Sequence, residues 1–86
     1  MEEWKTINQT GVAPITTVYK YKNYMLSVSI YYFRKSICPP QKLSSATLYK
    51  GKREIKTWYG AEYDMQKFEE DLKQLCQQLK IPYPFD

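Results

Sequence analysis

Five carboxylates, Glu62, Asp64, Glu69, Glu70 and Asp71, crowd into one short stretch, and oxygen donors at that density are what a magnesium site is built from. Two thiols, Cys38 and Cys76, are the only candidate nucleophiles of their kind, and thiolate chemistry needs an electropositive, accessible setting. The chain has no histidine, which removes the commonest general acid or base and the commonest zinc ligand. Its three glycines form no phosphate-cradling loop, and there is neither a Cys-x-x-Cys pair nor a nucleophile elbow. An acidic run of this kind reads first as the solvated side of a helix. Cys38 stands beside Pro39 and Pro40, Cys76 falls on an apolar stripe, and both read as reduced thiols of a cytoplasmic protein. Catalysis, a cofactor and a bound metal are therefore not expected.

The cations and rings point elsewhere. Up to Gly60 there are ten Lys or Arg against three acids, a balance of +7, and from Ala61 onward three against six, a balance of −3, which together give the net +4. A basic segment joined to an acidic one suits an anionic partner. Nine tyrosines in a 16% aromatic fraction are high for a globular chain. Lys20, Lys22, Arg34, Lys35, Lys50, Lys52, Arg53 and Lys56, interleaved with Tyr31, Phe33, Tyr49 and Trp58, form the candidate binding set. Stacked rings for bases and cations for phosphates are what a single-stranded nucleic acid requires. Aromatic patches with arginine also mark the centres of protein interfaces. The alternative is thus an inhibitor or adaptor whose partner is an acidic or nucleic-acid-binding protein.

These residues need elements to position them. Residues 15–22 and 24–33 are rich in β-branched and aromatic types and read as two strands turning at Asn23. In the second, Leu26, Val28 and Ile30 alternate with Met25, Ser27, Ser29 and Tyr31, placing aliphatics on one face and hydroxyls on the other. Residues 34–44 hold Pro39 and Pro40 and read as a loop. Residues 45–50 and 53–59 flank Gly51, a hairpin centre. With Leu26, Val28, Ile30, Leu48 and Ile55 on the core side, unbroken alternation sends Met25, Ser27, Ser29, Tyr31, Phe33, Thr47, Tyr49, Glu54, Lys56 and Trp58 to the other face, with Lys20 and Lys22 beside them. Trp4 and Ile7 allow a further N-terminal edge strand.

From about Ala61 the period becomes 3.6. Met65, Phe68, Leu72, Leu75, Cys76 and Leu79 make one stripe, with Glu62 and Asp64 at the positive end of the helix dipole and Lys80 in its last turn. Pro82 ends the helix, and the 82–86 proline and aromatic tail is free to tuck back. The expectation is one α+β domain over residues 1–86: a four-stranded antiparallel sheet of two hairpins, one C-terminal amphipathic helix on one face, and the other face open. No apolar run approaches the ~18 residues a membrane span needs, and no membrane partner is expected.

Four strands followed by a helix is an arrangement similar to that of the dimeric transcriptional coactivators that bind single strands on curved sheets. That likeness implies nucleic acid as ligand and a possible homodimer. Short chains rich in Tyr, Lys and Ile also suit viral or mobile-element proteins that inhibit host nucleic-acid enzymes.

Overall fold

The structure is a computed structural model, and it describes residues 3–11, 14–32 and 41–85. The chain order is β1 (Lys5–Gln9), β2 (Ile15–Tyr21), β3 (Tyr24–Tyr32), β4 (Gln41–Lys50), β5 (Arg53–Tyr59) and α1 (Met65–Leu79). All five strands pair antiparallel with their chain neighbours, so the sheet order is β1-β2-β3-β4-β5. The fold is α+β as the patterning indicates, with the N-terminal edge strand present as a fifth.

Both tight hairpins use two-residue turns, closed by the pairs Tyr21↔Tyr24 and Lys50↔Arg53. The first residue of each takes a left-handed φ: 52° at Lys22 and 62° at Gly51. Glycine adopts that conformation freely. At Lys22, expected in the strand, the same geometry crowds a Cβ, at a cost of about 1 kcal/mol. The two tips lie side by side, and the Gly51 amide donates to the Asn23 carbonyl at 2.7 Å.

Three strand pairs carry a register shift, and each shift inserts one residue. In β1, Thr6 faces Tyr19 and Asn8 faces Val18, so Ile7 is extra. In β4, Ser45 faces Ser29 and Leu43 faces Ile30, so Ser44 is extra. In β5, Lys56 faces Leu48 and Glu54 faces Tyr49, so Ile55 is extra. An inserted residue reverses the in-out phase of everything beyond it. This is why Lys56 and Trp58, assigned above to the open face, lie on the helix side. It also puts Leu43, assigned to a loop, into the core at 1% exposure, because β4 starts at Gln41 and takes in residues 41–44.

The core is the inner face of the sheet, Leu26, Val28, Leu43, Ala46, Leu48 and Trp58, closed by Phe68, Leu72 and Cys76 of α1. Asp64, expected within the helix, is instead its N-cap, accepting from the Lys67 amide at 2.7 Å. At the other end Lys80, expected in the last turn, is a left-handed cap with φ 58°. The amides of Lys80 and Ile81 donate to the carbonyls of Gln77 and Cys76, which satisfies the last turn as a Schellman closure does. Ile81 then turns onto the core.

The tail does tuck back, on the helix side. Phe85 packs edge-on against Tyr19 at 5.5 Å and Phe68 at 6.2 Å, and Phe68 in turn against Trp58 at 5.2 Å. The Trp4 indole donates to the Pro82 carbonyl at 2.7 Å. Gly60 follows β5 with its amide on the Ser44 carbonyl at 2.9 Å. A Cβ there would overlap the Leu43 carbonyl, so only glycine lets the backbone pass β4 at its bulge. No helix among the described residues is long and apolar enough to cross a membrane.

Candidate functional site

The face away from α1 is set by register. Thr16, Ser29, Ser45 and Tyr59 form one row across β2 to β5, and Asn8, Val18, Ser27, Thr47 and Thr57 form the next, beginning at β1. A third row, nearest the turns, is Lys5, Lys20, Met25, Tyr49 and Glu54. The centre is a lattice of hydroxyls. Thr16 and Ser29 share a hydrogen bond at 2.7 Å, and Thr47 and Thr57 another at 3.2 Å. Thr57 donates its proton to Glu54 at 2.8 Å, so Thr47 must be the donor to Thr57, since a hydroxyl has one proton to give. Rings stand at the margins: Tyr49 in the third row, and Tyr31 and Tyr59, 39% and 57% exposed, towards the opposite end.

Two hairpin tips tied together concentrate charge. Lys5, Lys20, Lys22, Lys50, Lys52 and Arg53 all lie at this end of the sheet and all are exposed. Among the described residues no carboxylate pairs with Lys50, Lys52 or Arg53, whereas Lys56 pairs with Asp71. Lys22 sits 5.5 Å from the Tyr21 ring centre and Lys50 5.7 Å from that of Tyr24, so tyrosines beneath the tips steady the ammonium groups above them.

The expected site set thus divides. Lys20, Lys22, Lys50, Lys52 and Arg53 come together at the tips, with Tyr49 beside them on the open face. Tyr31 lies on that face at the far end, opposite Lys42. Phe33, Arg34 and Lys35 lie outside the described residues. Trp58 is fully buried and cannot stack on a ligand. Its indole donates to Asp71 at 2.7 Å, and Lys56 bonds the same carboxylate oxygen. Those two donors hold the Asp71 carboxyl below its ordinary value, with the Lys56 hydrogen bond the larger cause, and that same bond raises Lys56. Lys56 also lies 5.6 Å from the Trp58 ring and 5.7 Å from that of Tyr63. This group clamps α1 to β5.

Of the five acidic residues read as a possible cation site, Asp71 is engaged in that clamp and Asp64 in the helix cap. Among the described residues no three carboxylates or thiols converge to hold a metal ion. The Cys76 thiol is 1% exposed, and burial pushes its pKa up to about 11, which leaves it a packing group rather than a nucleophile.

Sequence reasoning missed Lys5 and Tyr59. The first joins the basic end only through β1 pairing, and the second reaches the open face only because of the β5 bulge. Ile55 gave a misleading phase because the bulge residue itself packs against the core.

Compared with known proteins, the chain matches no family model, no curated protein and no solved structure.

Proposed function

We propose that the protein is a non-enzymatic module that binds nucleic acid, gripping phosphates with the tied hairpin tips and laying the adjoining nucleotides over the open face. The observation that carries this reading is the convergence of six exposed cations on one end of the sheet. Phosphate is the ligand such a cluster suits, and each neutralised phosphate releases condensed counterions. Tyr49, one row in from the tips, is placed to meet a base, while the hydroxyl rows accept or donate to sugar and base edges. With Trp58 in the core, stacking contributes less and charge more than the sequence suggests. Affinity for a short labelled oligonucleotide, followed by anisotropy across a salt series, tests the reading. Affinity should fall steeply and linearly in log salt, and absence of binding to single and double strands at low salt would end the proposal.

A second reading rests on the centre of the face, where hydroxyls stand in place of rings. A flat lattice of Ser and Thr between basic and tyrosine margins also suits an acidic protein surface, bound as an inhibitor or adaptor binds. Replacing Ser27 or Thr47 by a bulky residue would then abolish capture of the partner, while oligonucleotides would fail to compete.

A further inference from the structure

Register lays one row of side chains across the open face beside the tips: Lys5, Lys20, Met25, Tyr49 and Glu54, one from each strand in sheet order. Residues directly opposite on neighbouring strands share a face. The row is graded, with exposed ammonium groups on β1 and β2, a thioether on β3, a half-buried ring on β4 and an exposed carboxylate on β5. At about 4.8 Å per strand, the backbone of Lys20 stands ~10 Å from that of Tyr49, and Lys5 ~14 Å. Glu54 is the anomaly. It sits at the basic end of the sheet, yet among the described residues no ammonium or guanidinium pairs with it. Its partner is Thr57, whose hydroxyl donates to Oε1 at 2.8 Å, and Thr47 donates in turn to Thr57 at 3.2 Å. Thr57 lies one row further from the tips, so two hydroxyl protons in series hold the carboxylate over the face. Oε1 keeps a second lone pair, and Oε2 has no partner among the described residues.

An ionised carboxylate only accepts hydrogen bonds. Set beside a ring, it calls for a flat ligand with adjacent donors on one edge. Among the common bases guanine alone carries two neighbouring donors, N1–H and the 2-amine, on its Watson–Crick edge. Adenine and cytosine place an acceptor beside their amine, and thymine and uracil flank one N–H with two carbonyls, so a carboxylate is repelled by each. We infer that Tyr49 and Glu54 form a guanine subsite. The base stacks on Tyr49 with N1–H and the 2-amine on Glu54, and phosphates of the same strand lie on Lys20 and Lys5. This inference rests on the nucleic-acid reading above and gives it a base preference. An arginine side chain has a similar flat edge of paired donors, but the surrounding cations repel it and attract phosphate.

The test is fluorescence anisotropy of the intact protein, at low salt, with labelled heptathymidylate carrying guanine, hypoxanthine, adenine or thymine at its centre. The guanine strand should bind on the order of tenfold more tightly than the adenine or thymine strand, the discrimination that a good bidentate base contact provides. Hypoxanthine keeps N1–H but lacks the 2-amine, and its strand should fall between. Glu54→Gln retains an oxygen for Thr57 but loses the second acceptor. It should bring the strands to one affinity with an unchanged thermal melt. Tyr49→Ala should weaken the guanine strand roughly tenfold through lost stacking. Equal affinity for all the strands, a guanine preference that survives Glu54→Gln, or indifference to Tyr49→Ala overturns the subsite while the nucleic-acid reading stands. If no strand binds, both fall. Binding of an arginine tripeptide that is lost in Glu54→Gln, with no binding of any strand, would give the subsite to a protein partner and overturn the guanine assignment.

Discussion

The two faces of this sheet are made from the same strands, yet they answer to different demands. Towards α1, Leu26, Val28, Leu43, Ala46, Leu48 and Trp58 are almost wholly withdrawn from water. They meet Phe68 and Leu72 with ring contacts near 5 Å and one shared carboxylate. On the other side, alternate residues of the same strands present Thr16, Ser27, Ser29, Ser45, Thr47 and Thr57, partly exposed, with Thr16 bonded to Ser29 and Thr47 to Thr57. Burial is therefore concentrated on one side, and the polar rows of the other are left facing solvent. The tyrosines divide along the same line: Tyr19, Tyr63 and Tyr83 pack against the core, while Tyr31, Tyr49 and Tyr59 stay outside.

If that division is sound, substitution should cost stability on one side only. Phe68→Ala should lose about 3–5 kcal/mol, a large share of the roughly 5–10 kcal/mol available to a domain of this size, measured by urea unfolding. Ser27→Ala on the other face should stay within about 0.5 kcal/mol, and an equal loss at both would break the comparison. Asp71→Ala comes next. It leaves the buried Trp58 indole without an acceptor, and an orphaned donor of that kind costs about 1–3 kcal/mol.

The clamp also predicts a pH profile. Asp71 titrates below its unfolded value, so its contribution is fully present above about pH 4 and is lost as pH falls through the lower folded value. Lys56 titrates above its unfolded value, so its contribution is present below about pH 10 and is lost as pH rises through the higher folded value. Asp71→Asn should flatten the acid limb of a stability-versus-pH curve relative to the parent protein; an unchanged limb would assign it to other carboxylates.

Lys80→Gly should raise stability by up to about 1 kcal/mol, because the left-handed cap no longer crowds a Cβ. Smallest in stability and largest in binding is the joint change Lys50→Gln, Lys52→Gln and Arg53→Gln. Unfolding should be unaffected within error, while the salt slope for a single strand falls by about 2, near 0.7 per lost phosphate contact. A destabilised triple variant would mean that the tips contribute to the fold as well as to binding.

Much of this was legible in the sequence where periodicity ran unbroken. The α1 stripe from Met65 to Leu79 and the alternation through β3 each named their buried side correctly. Legibility failed at inserted residues. Nothing in the composition of residues 53–59 announces that Ile55 is a bulge, because its partner lies across the sheet in β4, and period-two reasoning carried past it turns Trp58 inside out. The stretch 41–44 was hidden for another reason, the neighbouring Pro39 and Pro40, which argue for a loop without saying where the next strand begins. Clustering of the basic residues was visible as composition, but the joining of the two tips depends on the β3–β4 register, which sets Tyr24 opposite Lys50 and lets the Gly51 amide reach the Asn23 carbonyl.

The bond from Trp4 to Pro82 spans 78 residues, and it sets a schedule for the ribosome. Every strand pairs with the strand just before it, so the sheet can zip in the order of synthesis. Its apolar face nevertheless stays bare until the helix and the 81–85 segment emerge. Trp4 finds its partner only after every strand and the helix between them have been made, and the apolar face waits uncovered through that interval.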